Sequence, residues 1–183
     1  MWELLLRVIK ILNESKIQYM LVGSFAANMH GHSRATHDID FVIRITKEEI
    51  IKLKDAFGDE YMFDVESASE ALLLNEMFNV IDYQTMDKID FWIPKETEFA
   101  RTQFSRRIKQ ELEDSFIWIE SVEDTILSKL LWHKMSNSER QLNDVKAILL
   151  ANNSLDWEYL NKWALHFDIK EILNKLNEEN INV

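Results

Sequence analysis

The stretch VGSFAANMHGHSRATHDIDFVI, residues 22–43, decides the fold. An apolar run from Ile17 to Val22 leads into it, and Gly23 and Ser24 close that run, so the order reads strand, glycine turn and a short helix over FAANMHGH. Next comes DIDFVIRI. At a strand's period of two, Ile39, Phe41, Ile43 and Ile45 fall on one face, and Asp38, Asp40, Val42 and Arg44 fall on the other. Two carboxylates therefore project side by side, roughly 6–7 Å apart along the strand. Each is a hard oxygen donor of the kind a divalent cation takes. A solvated strand face is the alternative, against which stands the Gly23-Ser24 turn, whose backbone amides could receive a phosphate.

Working outward, Trp2, Leu5, Leu6, Ile9 and Leu12 recur at helical spacing and predict a first helix that Asn13 to Lys16 ends. Thr46 caps a helix over 47–57, with acids in its first turn and Gly58 as its stop. SEALLLNE, residues 69–76, predicts another helix, and FNVID and KIDFWI around the turn YQTMD predict a hairpin. Asp90, in the second of those strands, completes a three-carboxylate cluster if its strand lies beside the first; Asp82, at the end of FNVID, is its rival. Three such oxygens suit Mg²⁺, which fills its other positions with water and substrate phosphates. Thr97 to Ser105 reads as a helix, and IKQEL with SFIWIE as a second hairpin across Glu113 and Asp114.

From Ser121 onward the period is helical. In the first of these helices Val122, Ile126, Leu130, Trp132 and Met135 are expected to make the apolar contacts, and in the next Leu142, Val145, Ile148 and Leu149 do so. Asn152 to Ser154 reads as a loop, Asp156 as a cap, and residues 178–183 as a fraying end. The expected class is α/β (α+β): a mixed β-sheet flanked by helices over residues 1–120, followed by a C-terminal helical bundle over 121–183 packed on it.

Composition bounds the function. The 183 residues hold 21 Lys and Arg against 32 Asp and Glu, a net charge of −11, which disfavours extensive DNA or RNA binding along a phosphate backbone. Cysteine is absent, so thiol chemistry and thiolate metal sites are excluded. With 46% hydrophobic residues, three Gly and one Pro, the chain is built to fold. Glu3, Arg7 and Lys10 interrupt the apolar N-terminus, and no run approaches the ~18 apolar residues of a membrane span. The expectation is a soluble cytoplasmic protein with no membrane partner. His30, His32 and His37 cluster before the acidic strand, at spacings that match no zinc pattern, and are expected to cap a cleft or touch substrate. Arg101, Arg106, Arg107 and Lys109 form the densest basic patch, either a solvated face or a lip that attracts a triphosphate or an RNA end. Trp92, on the Asp90 strand, is the aromatic candidate for a cleft wall.

Taken together, residues 22–43 and the later strand aspartate resemble the signature of the nucleotidyltransferase superfamily, which includes the DNA polymerase beta-like fold, and within it the bacterial minimal and abortive-infection toxin-like branch. Gly23 and Ser24 match the pair that holds nucleotide phosphates in that family. Asp38 and Asp40 match its first two metal ligands, and Asp90 the third, which also serves as general base. Arg34 and Thr36 match residues common in the bacterial branch, while Val22 stands where the family commonly has a further glycine. SVEDTILSKLLWHK and ERQLNDVKAILL are similar to the helical portion of that branch through Glu123, Asp124, Lys129, Arg140 and Asp144. The resemblance implies that Lys129, with Arg34, contacts nucleotide phosphates and that Asp144 pairs with a nearby base; an ordinary ion pair between helices is the alternative. It further implies Mg²⁺, or Mn²⁺ in its place, and transfer of a nucleoside monophosphate from an NTP such as ATP to a hydroxyl or phosphate on a protein, an RNA end or a small molecule. A toxin–antitoxin protein that acts without catalysis, through an antitoxin or other protein partner, is the competing expectation.

Overall fold

The alternation of apolar and polar residues in the first half of the chain builds one sheet. In the computed structural model, which describes residues 1–31, 34–112 and 115–181, two compact units are present. One joins Met1–Phe25 to Thr36–Ile119, and the other joins Ala26–Ala35 to Glu120–Val183. His32 at the end of FAANMHGH, the Glu113–Asp114 turn and the last two residues of the expected frayed end lie outside the described residues.

In the first unit, among the described residues, the strands are β1 (Gln18–Val22), β2 (Ile39–Arg44), β3 (Tyr61–Phe63), β4 (Met77–Asp82), β5 (Lys88–Trp92), β6 (Ile108–Leu112) and β7 (Ser115–Ile119). They form one mixed sheet in the order β3-β4-β5-β2-β1-β7-β6. β1 runs antiparallel to β2, whereas β2 and β5 are parallel, as are β1 and β7. Helices α1 (Trp2–Glu14), α3 (Lys47–Phe57) and α4 (Val65–Leu74) belong to this unit, and α2 (Gly23–Met29) begins in it. The face formed by Tyr19, Leu21, Ile39, Phe41, Ile43, Phe78, Val80, Ile89 and Phe91 is buried. At its centre Phe91 stacks on Phe41 at 5.7 Å and on Phe78 at 5.3 Å, and Phe57 of α3 meets Phe91 edge-on at 6.1 Å. Each such ring contributes about 2–3 kcal/mol by leaving water. Burial also pushes the Tyr19 phenol up to about 12; its hydroxyl donates to the Phe116 carbonyl.

Local signals set the helix ends. Thr46 and Glu49 form a reciprocal capping box at the start of α3, and Gly58 ends it at φ +69°. α4 starts earlier than SEALLLNE suggests, because the Asp64 carboxylate accepts from the amides of Glu66 and Ser67; Asn75, in the left-handed region, stops it at Leu74. α5 (Glu98–Ser105) has Thr97 as its cap.

The second unit holds α6 (Val122–Ser136), α7 (Glu139–Ala151), α8 (Trp157–His166) and α9 (Lys170–Ile181). α6 packs on α7 and α8, and α9 packs on α7 and α8, around Ile126, Leu127, Leu130, Val145, Ile148, Leu160, Trp163 and Leu173. Trp132 and Met135, expected in this core, are exposed instead. The inward face of α6 carries Asp124, Thr125 and Lys129, so polar groups occupy positions that an apolar stripe would otherwise claim. The mixed sheet flanked by helices and the C-terminal helical bundle are as the sequence predicts.

Candidate active site

Strand register brings two of the three aspartates together. In the parallel pair of β2 and β5, Asp40 lies opposite Asp90, so both side chains leave the same face from neighbouring strands about 4.8 Å apart. That is the face away from the phenylalanine stack; it also carries Val42, Arg44, Lys88 and Trp92, none of them buried. The opposite parity applies to Asp82. It shares the buried face with Phe78 and Val80, ion-pairs with Arg7 of α1, and accepts from the Gln84 amide at 2.8 Å to hold the turn into β5. Asp82 is thus committed to structure on the far side of the sheet from Asp90.

Asp38 sits one residue before β2 and is exposed. On one side the reason lies in β1, which ends at Val22 opposite Asp40; the chain then turns into α2, so β1 does not extend the ladder to Asp38. That same turn explains Gly23. A Cβ at residue 23 would stand 2.5 Å from Asp40 Oδ2, and the backbone there has φ +69°, so close approach and conformation both demand glycine. Ser24 follows on α2.

The carboxylate pair has two neighbours from β5. The Trp92 indole N–H donates to Asp40 Oδ1 at 3.3 Å, and the Lys88 ammonium lies 3.2 Å from Oδ1 and 3.3 Å from Oδ2 of Asp90. Asp90 Oδ1 is buried and accepts no hydrogen bond among the described residues, the ammonium reaching it only as an ion-pair neighbour. Oxygen-only donors and an oxygen without a hydrogen bond fit a hard divalent cation. Among the described residues no group of three His, Cys, Asp or Glu side chains is placed to hold an ion; Asp40 and Asp90 are two oxygen donors that could hold one only with water or phosphate oxygens completing the shell. Sequence reasoning passed over Lys88, although the alternation Lys88, Asp90, Trp92 on one strand face was legible.

In the second unit Asp144, 1% exposed, receives both Lys129 Nζ at 2.6 Å and Arg34 Nε at 3.3 Å. Gln141 accepts from Lys129 as well. Arg34 is further fixed by Asn28, whose side-chain amide donates to its carbonyl and accepts from its backbone N–H. Asp124, also buried, accepts from Ser121 Oγ and from the Tyr159 hydroxyl. His30 Nε2 donates to the Glu120 carbonyl at 2.7 Å, and burial lowers its imidazole below the ordinary value. His37 is exposed, and His32 lies outside the described residues.

The basic run is not a bare patch. Arg107 stacks over Phe104 and Trp118, Lys109 over Phe116 while pairing with Glu111, and Arg101 pairs with Glu96. Among the described residues no helix is long and apolar enough to cross a membrane.

Solved structures share this fold. The chain is similar to the antibiotic-resistance factor ANT(2'')-Ia in complex with adenylyl-2''-tobramycin, with TM-score 0.58 and 14% identity over 91% of this chain and 95% of that one. It is also similar to the lincosamide antibiotic adenylyltransferase LnuA bound to lincomycin, with TM-score 0.53 and 14% identity over 79% of this chain and 93% of that one. An antigenic nucleotidyltransferase-like protein from Paracoccidioides brasiliensis gives TM-score 0.51 and 14% identity over 93% of this chain and 88% of that one. At these identities the likeness is one of fold. A search of curated proteins finds no match to the chain. The family model described as "Nucleotidyltransferase of unknown function (DUF6036)" matches residues 3–183, nearly the whole chain, and the protein belongs to that family.

Proposed function

We propose that the protein is a divalent-metal-dependent nucleotidyltransferase that moves a nucleoside monophosphate from an NTP to a hydroxyl or phosphate acceptor. The observation that carries this reading is the register of β2 with β5, which sets Asp40 beside Asp90 on the open face, next to a glycine with no room for a side chain. In this proposal Asp40 and Asp90 hold Mg²⁺ or Mn²⁺, with Asp38 joining from the loop before β2 when nucleotide binds. The bound ion would neutralise phosphate oxygens and lower the cost of deprotonating the acceptor. Gly23 and Ser24 flank the nucleotide phosphates. The acceptor oxygen bonds to the α-phosphorus while the bond to the bridging β-phosphate oxygen breaks; pyrophosphate leaves, and Asp90 takes the acceptor's proton. Arg34 and Lys129, to which the family resemblance gives nucleotide contacts, both end on Asp144, and neutralising it is their first task in this reading.

Adenylyl transfer to a small molecule, named with two of the similar structures, makes ATP and a small hydroxyl-bearing acceptor the first combination to try; an RNA end and a protein follow. The same reading places the enzyme in the cytoplasm. The test is incubation with Mg²⁺ and each α-labelled NTP in the presence of those acceptor classes, beside Asp40→Asn and Asp90→Asn. Label should move to one acceptor class with the unsubstituted protein and not with either variant. Equal labelling by all three proteins overturns the proposal. Failure of every NTP to bind, together with tight capture of a protein partner, would favour a non-catalytic toxin–antitoxin role.

A further inference from the structure

Two carboxylates on one face of adjacent strands repel, and a nearby positive charge offsets that repulsion while no cation is bound. β5 supplies one. Lys88 lies two residues before Asp90 on the same strand face, and its ammonium straddles both oxygens, at 3.2 and 3.3 Å. The ammonium does not close off the carboxylate: Asp90 Oδ1 still accepts no hydrogen bond among the described residues. Exposure is unequal. The Lys88 side chain is 47% exposed and Asp90 is 15% exposed, so the cation sits at the solvent end of the pair, on a flexible four-carbon stem, and can leave without disturbing the strand. An ion pair that open to water is weak and exchanges readily.

We infer that Lys88 is a positioning residue, a resident counter-cation that holds Asp90 in the metal-free protein and is displaced when a divalent ion arrives. This rests on the proposed function, since it takes Asp90 as a ligand. The charge balance is simple. Asp40, Asp90 and Lys88 sum to −1; a divalent ion in place of the ammonium brings the two carboxylates to neutrality and releases Lys88 beside the nucleotide's phosphates. Lys88 therefore acts on the metal through Asp90, stabilising the empty site and competing for it.

A merely structural lysine and a competing one are told apart by the sign of two measurements on the full chain: thermal unfolding without divalent ions, and Mn²⁺ binding by titration calorimetry. For Lys88→Met we expect a lower metal-free unfolding temperature together with Mn²⁺ affinity raised about tenfold, the scale expected when a unit positive charge is removed a few ångströms from a divalent ion. Lys88→Arg, which keeps the charge, should bind Mn²⁺ like the unsubstituted protein. Unchanged or weaker Mn²⁺ binding by Lys88→Met, alongside binding by the unsubstituted protein that Asp90→Asn abolishes, overturns this inference and leaves the proposed function standing. Mn²⁺ binding that Asp90→Asn does not alter, or no binding by any of the four proteins, overturns both.

Discussion

Asp144 and Asp124 of the bundle and Asp90 of the sheet are acids held in contrasting ways. In the bundle, Asp144 is closed in by Lys129 and Arg34, and Asp124 by Ser121 and Tyr159, so each carboxylate is neutralised or hydrogen-bonded by its own neighbours. In the sheet, Asp90 keeps a buried oxygen that accepts no hydrogen bond among the described residues, and the ammonium of Lys88 beside it stands half in solvent. Satisfied charge is what a scaffold needs, since a lone buried charge costs several kcal/mol. A carboxylate whose counter-ion is a half-exposed lysine is held more loosely, and that partner can be exchanged. The difference separates acids that hold the fold from acids available for chemistry, a distinction that residue type alone does not make.

Substitution can break that contrast from either side. The largest effect on stability is expected for Asp144→Ala, which strands two cations, one of them almost wholly buried: a loss of about 3–5 kcal/mol in urea unfolding. A loss below ~1 kcal/mol would show that the bundle does not depend on the pair. Gly23→Ala should cost about 1–3 kcal/mol, through its positive φ and the collision with Asp40 Oδ2, and should weaken Mn²⁺ binding at the same time. Thr46→Ala, which removes one half of the capping box and nothing from the site, should cost about 1 kcal/mol and leave Mn²⁺ binding unchanged.

A smaller effect concerns pH. His30 titrates below its ordinary value because burial disfavours the imidazolium, so the unfolded chain binds the proton more tightly than the folded one. Its stabilising contribution is complete above the ordinary value of about 6.5 and is lost as pH falls through the lower, folded value. Urea midpoints measured from pH 7.5 down to 5 should decline, and His30→Gln should flatten the decline; an unchanged slope would remove His30 from the account.

How far the sequence carried depended on the kind of pattern. Alternation in DIDFVIRI assigned the faces of β2 correctly because one face is packed with phenylalanine and isoleucine, and a one-residue slip would bury Asp40. Capping chemistry at Thr46 was equally local, and so was the start of α3. β3 has only three residues, too few for any period to register. Asp38 fell outside β2 because its neighbour strand ends at Val22, which depends on pairing and not on the sequence around Asp38. The exposed Trp132 and Met135 trace to Asp124, Thr125 and Lys129 on the inward face of α6, where Lys129 meets Asp144 of α7 and Asp124 meets Tyr159 of α8. Arg34 and Asp144 are 110 residues apart, a pairing that spacing cannot disclose. The parallel neighbourhood of Asp40 and Asp90 was stated only as a condition, and the register met it.

The most direct test is divalent-dependent pyrophosphate release from NTP by Asp90→Asn, with urea unfolding run in parallel. The account predicts that release falls roughly 100-fold or more while the unfolding midpoint stays near that of the unsubstituted protein, because Asp90 serves the reaction and not the fold. Release at the unsubstituted rate from a normally folded Asp90→Asn protein would contradict it.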